Sequence, residues 1–210
     1  MKNVLLVGDS IRQGYDLAVK KSLEGIANVY YPQENCRFAS YVLRHLHEYG
    51  SLIENGTVDV LVWNAGLWDC LRMFEEQDPQ TPIDIYAYYI DRICARIKRV
   101  FPTAKVIFAT STMVMSEKMN KNFMRYNEET AQYNSVAVEI VKKYGFEVCD
   151  LYTVSAPFNN EEGHSDACHY YTPIATKAFA TEILKYVCNA LEIEQVEYKE
   201  ALFLNKPIGT

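Results

Sequence analysis

Val4-Leu5-Leu6-Val7-Gly8-Asp9-Ser10 is the stretch that decides how this chain reads. Four consecutive apolar residues, two of them β-branched, predict a strand buried on both faces. Gly8, Asp9 and Ser10 stop it abruptly. A strand that ends in a small, polar, turn-forming triplet delivers its last residue to the carboxyl edge of a sheet, where ligands bind in open α/β folds. Ser10 is therefore placed where a hydroxyl can do chemistry. Taken alone, the triplet equally suits a helix cap at Asp9 or Ser10.

Working outward, four more short apolar runs alternate with helical patterns. Residues 11–15 read as a loop or frayed turn, and Asp16–Glu24 as a short helix closed by Gly25. Asn28–Tyr31 is a second strand stopped by Pro32, and Phe38–Tyr49 a helix closed by Gly50. Asn55-Gly56 marks a turn before a third strand, Val58–Trp63, which ends at Asn64-Ala65-Gly66. An irregular, aromatic-rich segment runs from Leu67 to Pro82. A long helix follows over Ile83–Val100, then a fourth strand over Lys105–Thr110. Residues 111–122 form a loop with three methionines, an adaptable lid in expectation. Phe123–Tyr144 reads as a helix, Phe146–Cys149 as a fifth strand, residues 150–171 as a loop, and Pro173–Leu191 as the last helix, with Pro173 suited to its first turn.

Alternating strands and helices predict a three-layer α/β/α, flavodoxin-like architecture. Its five-stranded parallel sheet would have the order 2-1-3-4-5. The expected organisation is one domain over residues 1–191 and a tail over 192–210 that packs on it or frays.

Composition narrows the function classes. The 210 residues suffice for one substantial core. A net charge of -6 argues against a nucleic-acid binder, which needs a basic footprint. No apolar run is long enough for a membrane span. Met1-Lys2-Asn3 leads directly into a strand, without the pattern of a secretory signal. The six cysteines, Cys36, Cys70, Cys94, Cys149, Cys168 and Cys188, form no C-x-x-C pair. Their scatter through apolar segments suits reduced thiols and a cytoplasmic setting.

The strand order brings distant polar residues to one edge. Ser10 follows strand one, Cys36 strand two, Asn64 strand three, and His164-Ser165-Asp166-Ala167-Cys168-His169 strand five. Ester cleavage by serine needs a base for the hydroxyl proton, a carboxylate to orient that base, and donors for the oxyanion. Ser10, His169 and Asp166 fill the first three roles. The Asn64 amide with the N–H groups of Ser10 and Cys36 fills the last.

Gly8-Asp9-Ser10 near the start, an asparagine after the third strand and Asp166-x-x-His169 near the end resemble the GDSL/SGNH hydrolase family. The resemblance runs from Val4 to about Leu184. It implies the flavodoxin-like fold, a Ser-His-Asp triad, and hydrolysis of a small-molecule ester without metal or other cofactor. Two departures stand out. Cys36 occupies the place of the family's oxyanion glycine, and Val62-Trp63-Asn64-Ala65-Gly66 replaces the usual Gly-x-Asn-Asp.

Further residues carry two readings each. Arg37 would meet an anionic substrate group or pair with Glu34 or Asp69. Trp63, Trp68 and Tyr15 would line the cleft or fill the core. Asp69 would orient a cleft residue or cap a segment. His164, Asp166 and His169 offer metal-ligand types but no further ligand cluster. His45 and His47 read as surface residues, and Cys168 as a packed thiol. Short acyl esters, including O-acetyl groups of carbohydrates, are the expected substrates. The competing reading is a non-catalytic flavodoxin-like module that binds a phosphate or nucleotide at Gly8–Gly14.

Overall fold

A computed structural model describes residues 1–54 and 56–203. Asn55 of the expected turn and the tail beyond residue 203 lie outside the described residues. Five strands form the main sheet: β1 (Lys2–Val7), β2 (Ala27–Tyr30), β3 (Val60–Trp63), β5 (Lys105–Ala109) and β7 (Glu147–Cys149). All pair in parallel in the order β2-β1-β3-β5-β7. Counted along the chain, this is the predicted 2-1-3-4-5. Val4, Leu5, Leu6 and Val7 are wholly buried, as a strand sandwiched between helix layers requires. Removing each from water favours folding by about 1.5–3 kcal/mol before entropy.

Helices α1 (Ser10–Ser22) and α6 (Pro173–Leu191) pack together, while α2 (Ala39–Tyr49), α3 (Ile83–Val100) and α4 (Asn127–Lys143) pack in series. These two groups are the outer layers. A five-residue helix, α5 (Leu151–Ser155), interrupts the segment expected to be a loop. A second sheet was not anticipated: β4 (Arg72–Met73) pairs antiparallel with β6 (Phe123–Met124). Residues 123–126 therefore precede α4 rather than starting it.

Helix α1 begins at Ser10, so the loop expected over 11–15 is helical. Asp9 is its cap, accepting from the Ile11 N–H at 2.9 Å. The charges on its buried face hid the pattern: Arg12 and Asp16 are both buried and pair with each other one turn apart. The methionine loop is not a lid. Asn134 bonds the N–H and carbonyl of Ser111 (2.8 and 2.9 Å), and Asn127 does the same for Val114 (2.9 and 3.0 Å). Met115 is buried, and its N–H donates to the Ala167 carbonyl at 2.9 Å.

After α6 the chain crosses back over α1. Ile193, Val196, Tyr198 and Ala201 pack against the core, the Lys199 N–H donates to Ser22 Oγ, and Phe203 lies against Tyr171. No helix among the described residues is long and apolar enough to cross a membrane.

Candidate active site

Gly8 lets two strand ends meet. A Cβ there would lie 1.8 Å from Asn64 Oδ1, so only glycine admits the asparagine. Asn64 is locked in place: its N–H donates to the Val7 carbonyl at 3.0 Å and its Nδ2 to Asp9 Oδ1 at 2.8 Å. One amide hydrogen of Asn64 is thus used and the second remains. Ser10, only 3% exposed, is the first residue of α1. Its N–H belongs to the four donors that a helix start leaves without intrahelical partners.

Burial raises the Asp9 pKa, against the lowering by its bonds to Asn64 and Ile11 and by the charges of Arg125 and His169. Buried side-chain oxygens without partners gather at the carboxyl ends of three adjacent strands: Asp9 Oδ2 after β1, Asn64 Oδ1 after β3, and Ser111 Oγ and Thr112 Oγ1 after β5. Folded proteins seldom leave such atoms unsatisfied. At this edge, then, several side chains hold polar atoms that the described residues do not satisfy.

The histidine is presented by a self-bonded turn. Asp166 Oδ1 accepts the N–H groups of Cys168 and His169, both at 2.8 Å, and the Ser165 N–H closes the turn on the His169 carbonyl at 2.7 Å. Asp166 Oδ2 meets His169 Nδ1 at 2.7 Å. Partial burial pushes the Asp166 carboxyl up. The hydrogen bond and charge of the His169 ring, with the two N–H groups, outweigh burial and hold the pKa at about 2. An ionised carboxylate only accepts, so Nδ1 carries a proton, and in the neutral form of the ring the lone pair is on Nε2.

Ser10 and His169 line one slot together with Thr112, Cys168 and Tyr171, with room for about one water molecule. No hydrogen bond joins Ser10 Oγ to His169 Nε2 among the described residues; bonds of this kind commonly tighten only around substrate. Tyr171 spans both partners. Its ring stacks on His169 with centroids 4.9 Å apart, and its hydroxyl donates to the Ser10 carbonyl at 3.1 Å. Gly14 makes room for that ring. The wider surface hollows lie elsewhere, and none of these three is lined by a histidine.

Several expected site residues are placed otherwise. The Cys36 N–H donates to the Gly8 carbonyl at 3.1 Å, so this expected oxyanion donor is already committed. Tyr15 is wholly buried in the core and does not line the slot. Trp63 is also core, packed on Phe108. Arg37 is exposed, sits at φ 45°, stacks on Tyr41 and pairs with neither Glu34 nor Asp69 among the described residues. Asp69 instead caps α2, with both oxygens accepting the Ala39 N–H. Trp68 is half-buried between Phe38 and Arg125.

His164 is a structural residue bonded to Asn159 and packed on Tyr170. Burial lowers its pKa to about 4. Thr112, Tyr171 and Arg125 escaped sequence reasoning. Tyr171 alone left a signal, as an aromatic residue two positions beyond the histidine.

No family model matches the sequence, and no curated protein does. Solved structures do match. A lipase/acylhydrolase from Enterococcus faecalis is 18% identical with a TM-score of 0.70, covering 96% of this chain and 100% of its own. An acetyl xylan esterase is 15% identical with a TM-score of 0.67, covering 88% and 99%. A GDSL-like lipase from Bacteroides thetaiotaomicron is 14% identical with a TM-score of 0.66, covering 90% and 89%. At these identities the likeness is one of architecture, carried over nearly the whole length. Together with the observed strand order, it establishes that the chain has the GDSL/SGNH hydrolase fold.

Proposed function

We propose that this protein hydrolyses carboxylic esters with short acyl groups, O-acetyl groups of carbohydrates among them, through an acyl-enzyme on Ser10. The observation that carries the reading is the Asp166-oriented imidazole of His169 on the slot that Ser10 also lines.

Ser10 Oγ attacks the acyl carbon and its proton passes to His169 Nε2. The ester C–O bond then breaks, and the departing alcohol takes that proton. Water attacks the acyl-Ser10 carbon and gives a proton to Nε2. The carboxylic acid leaves and Ser10 recovers its hydrogen. Asp166 holds the imidazole in the required tautomer and stabilises its charged form. The Ser10 N–H and the second hydrogen of the Asn64 amide are the donors for the oxyanion.

The competing anion-binding reading has less support. At the start of α1, where a phosphate would sit, the Asp9 carboxyl already caps the helix. Labelling with a fluorophosphonate and turnover of p-nitrophenyl acetate test the proposal. Ser10→Ala should lose labelling and at least about 10³-fold of the rate. Full activity in that variant would overturn it.

A further inference from the structure

Arg125 is a buried cation with no carboxylate in direct contact among the described residues. It is 7% exposed and takes part in none of the ion pairs among the described residues. Burying a charge unpaired is costly, and proteins ordinarily avoid it. The other arginine buried this deeply, Arg12, shows the ordinary solution: Asp16 holds one terminal nitrogen, and the Glu34 and Gly8 carbonyls hold the other. Arg125 has a single acceptor, the Leu67 carbonyl at 2.6 Å from Nε. Its two Nη groups have no partner among the described residues and are not fully enclosed. An anchored Nε with both Nη groups unpartnered among the described residues leaves one edge of the guanidinium available, a fork whose shape matches carboxylate and phosphate oxygens.

The position is as informative as the bonding. Arg125 lies between β6 and α4. It is tied to Leu67, three residues beyond Asn64, and its guanidinium stands 5.9 Å from the Trp68 ring. Its charge is felt at Asp9, next to Ser10, and at Cys168, next to His169, where it opposes the upward push of burial on both groups. Arg125, which directly follows β6, thus holds a positive charge within electrostatic reach of both halves of the candidate site.

We propose that Arg125 recognises a negatively charged group, a carboxylate or a phosphate, on the ester this site cleaves. The proposal rests on the hydrolase reading above and adds the substrate's charge. The protein then prefers esters that carry a negative charge over neutral acyl esters, and Trp68 provides a flat wall beside the bound anion. Arg125 is a specificity residue and touches no bond that breaks.

Matched esters test this. p-Nitrophenyl acetate is the neutral reference. p-Nitrophenyl hemisuccinate places a carboxylate on the acyl side, p-acetoxybenzoate places one on the alcohol side, and p-acetoxyphenyl phosphate replaces it with phosphate. Phenyl acetate is the neutral partner of the last two. At least one anionic ester should exceed its neutral partner in kcat/KM by about 10- to 100-fold, the value of one charge-assisted pair.

That ratio should fall towards unity in Arg125→Gln, be partly retained in Arg125→Lys, and shrink with added salt in the unaltered protein. The salt series keeps the test valid should a variant fail to fold. Turnover without charge preference, or a ratio that Arg125→Gln leaves unchanged, overturns this inference alone. Absence of turnover with every ester, together with an unlabelled Ser10, overturns the hydrolase reading and this inference with it.

Discussion

Ser10 and His169 reach the same slot from opposite kinds of surroundings. The serine belongs to a buried junction: Gly8, Asp9 and Asn64 interlock where β1 and β3 end, and each depends on the other strand. The histidine belongs to a turn that holds itself. Asp166 satisfies its own loop, with its side chain 55% exposed. Positioning on one side comes from the whole sheet, and on the other chiefly from bonds within the turn 165–169, with Met115 and Tyr171 bracing it. Damage to the first should therefore register in stability as well as in catalysis, and damage to the second in catalysis alone.

The sharpest break of that contrast compares Asp166→Asn with Asn64→Ala. Asp166→Asn should lower kcat/KM by about 10²–10⁴-fold through the wrong imidazole tautomer. Its effect on the melting temperature should be small, because exposed ion pairs contribute at most about 1 kcal/mol. Asn64→Ala should cost about 10²–10³-fold in kcat. It should also cost about 1–3 kcal/mol of stability, since Asp9 Oδ1 loses a buried donor. Ester kinetics and denaturant unfolding measure both pairs of values. Equal destabilisation by the two substitutions would erase the distinction.

Gly8→Ala probes the buried junction without touching a polar group. Its methyl would displace Asn64 or bend the end of β1, at a cost of about 1–3 kcal/mol. Activity should fall in parallel, and a urea titration alongside kinetics reads both.

The smallest effect separates two carboxyl groups by pH. Burial raises the Asp69 pKa from 3.8 to about 7, against the lowering by the Ala39 N–H and Thr81. Between those values the folded chain keeps a proton that the unfolded chain releases. Its stabilising contribution is therefore complete below the unfolded value and is lost as pH rises through about 7. Asp69→Asn should flatten that decline, seen as a smaller difference in melting temperature between about pH 5 and about pH 8. Asp9 and Asp16, also raised by burial, keep part of it. Asp166 has the opposite sign: its contribution is present above its unfolded value and is lost only as pH falls through about 2.

The legible parts of the chain were those with a long or unmixed pattern. Ile83–Val100 has a clear apolar stripe and is stopped by Pro102, Pro173–Leu191 opens on a proline suited to a first turn, and the structure places α3 and α6 at those bounds. The five main strands were equally readable, because a doubly covered sheet leaves unbroken apolar runs. The first turns of α1 were obscured by a buried ion pair and an internal glycine, which mimic a polar loop. The β4–β6 sheet has two residues per strand and joins positions about fifty residues apart, so no local period announces it.

The site divides in the same way. The Asp166–His169 turn is local and could be read, whereas the donor role given to Cys36 failed on a backbone bond to Gly8 that no residue type encodes. Arg125 carried no local mark at all; it is distinguished by being buried without a contact ion pair among the described residues.

The Tyr171 hydroxyl and the Ser10 carbonyl that it bonds are 161 positions apart. During synthesis Ser10 leaves the ribosome long before His169. On the proposed mechanism, a nascent chain that already carries Ser10 lacks the base that activates it until most of the polypeptide exists, so reactivity arrives with completion of the fold.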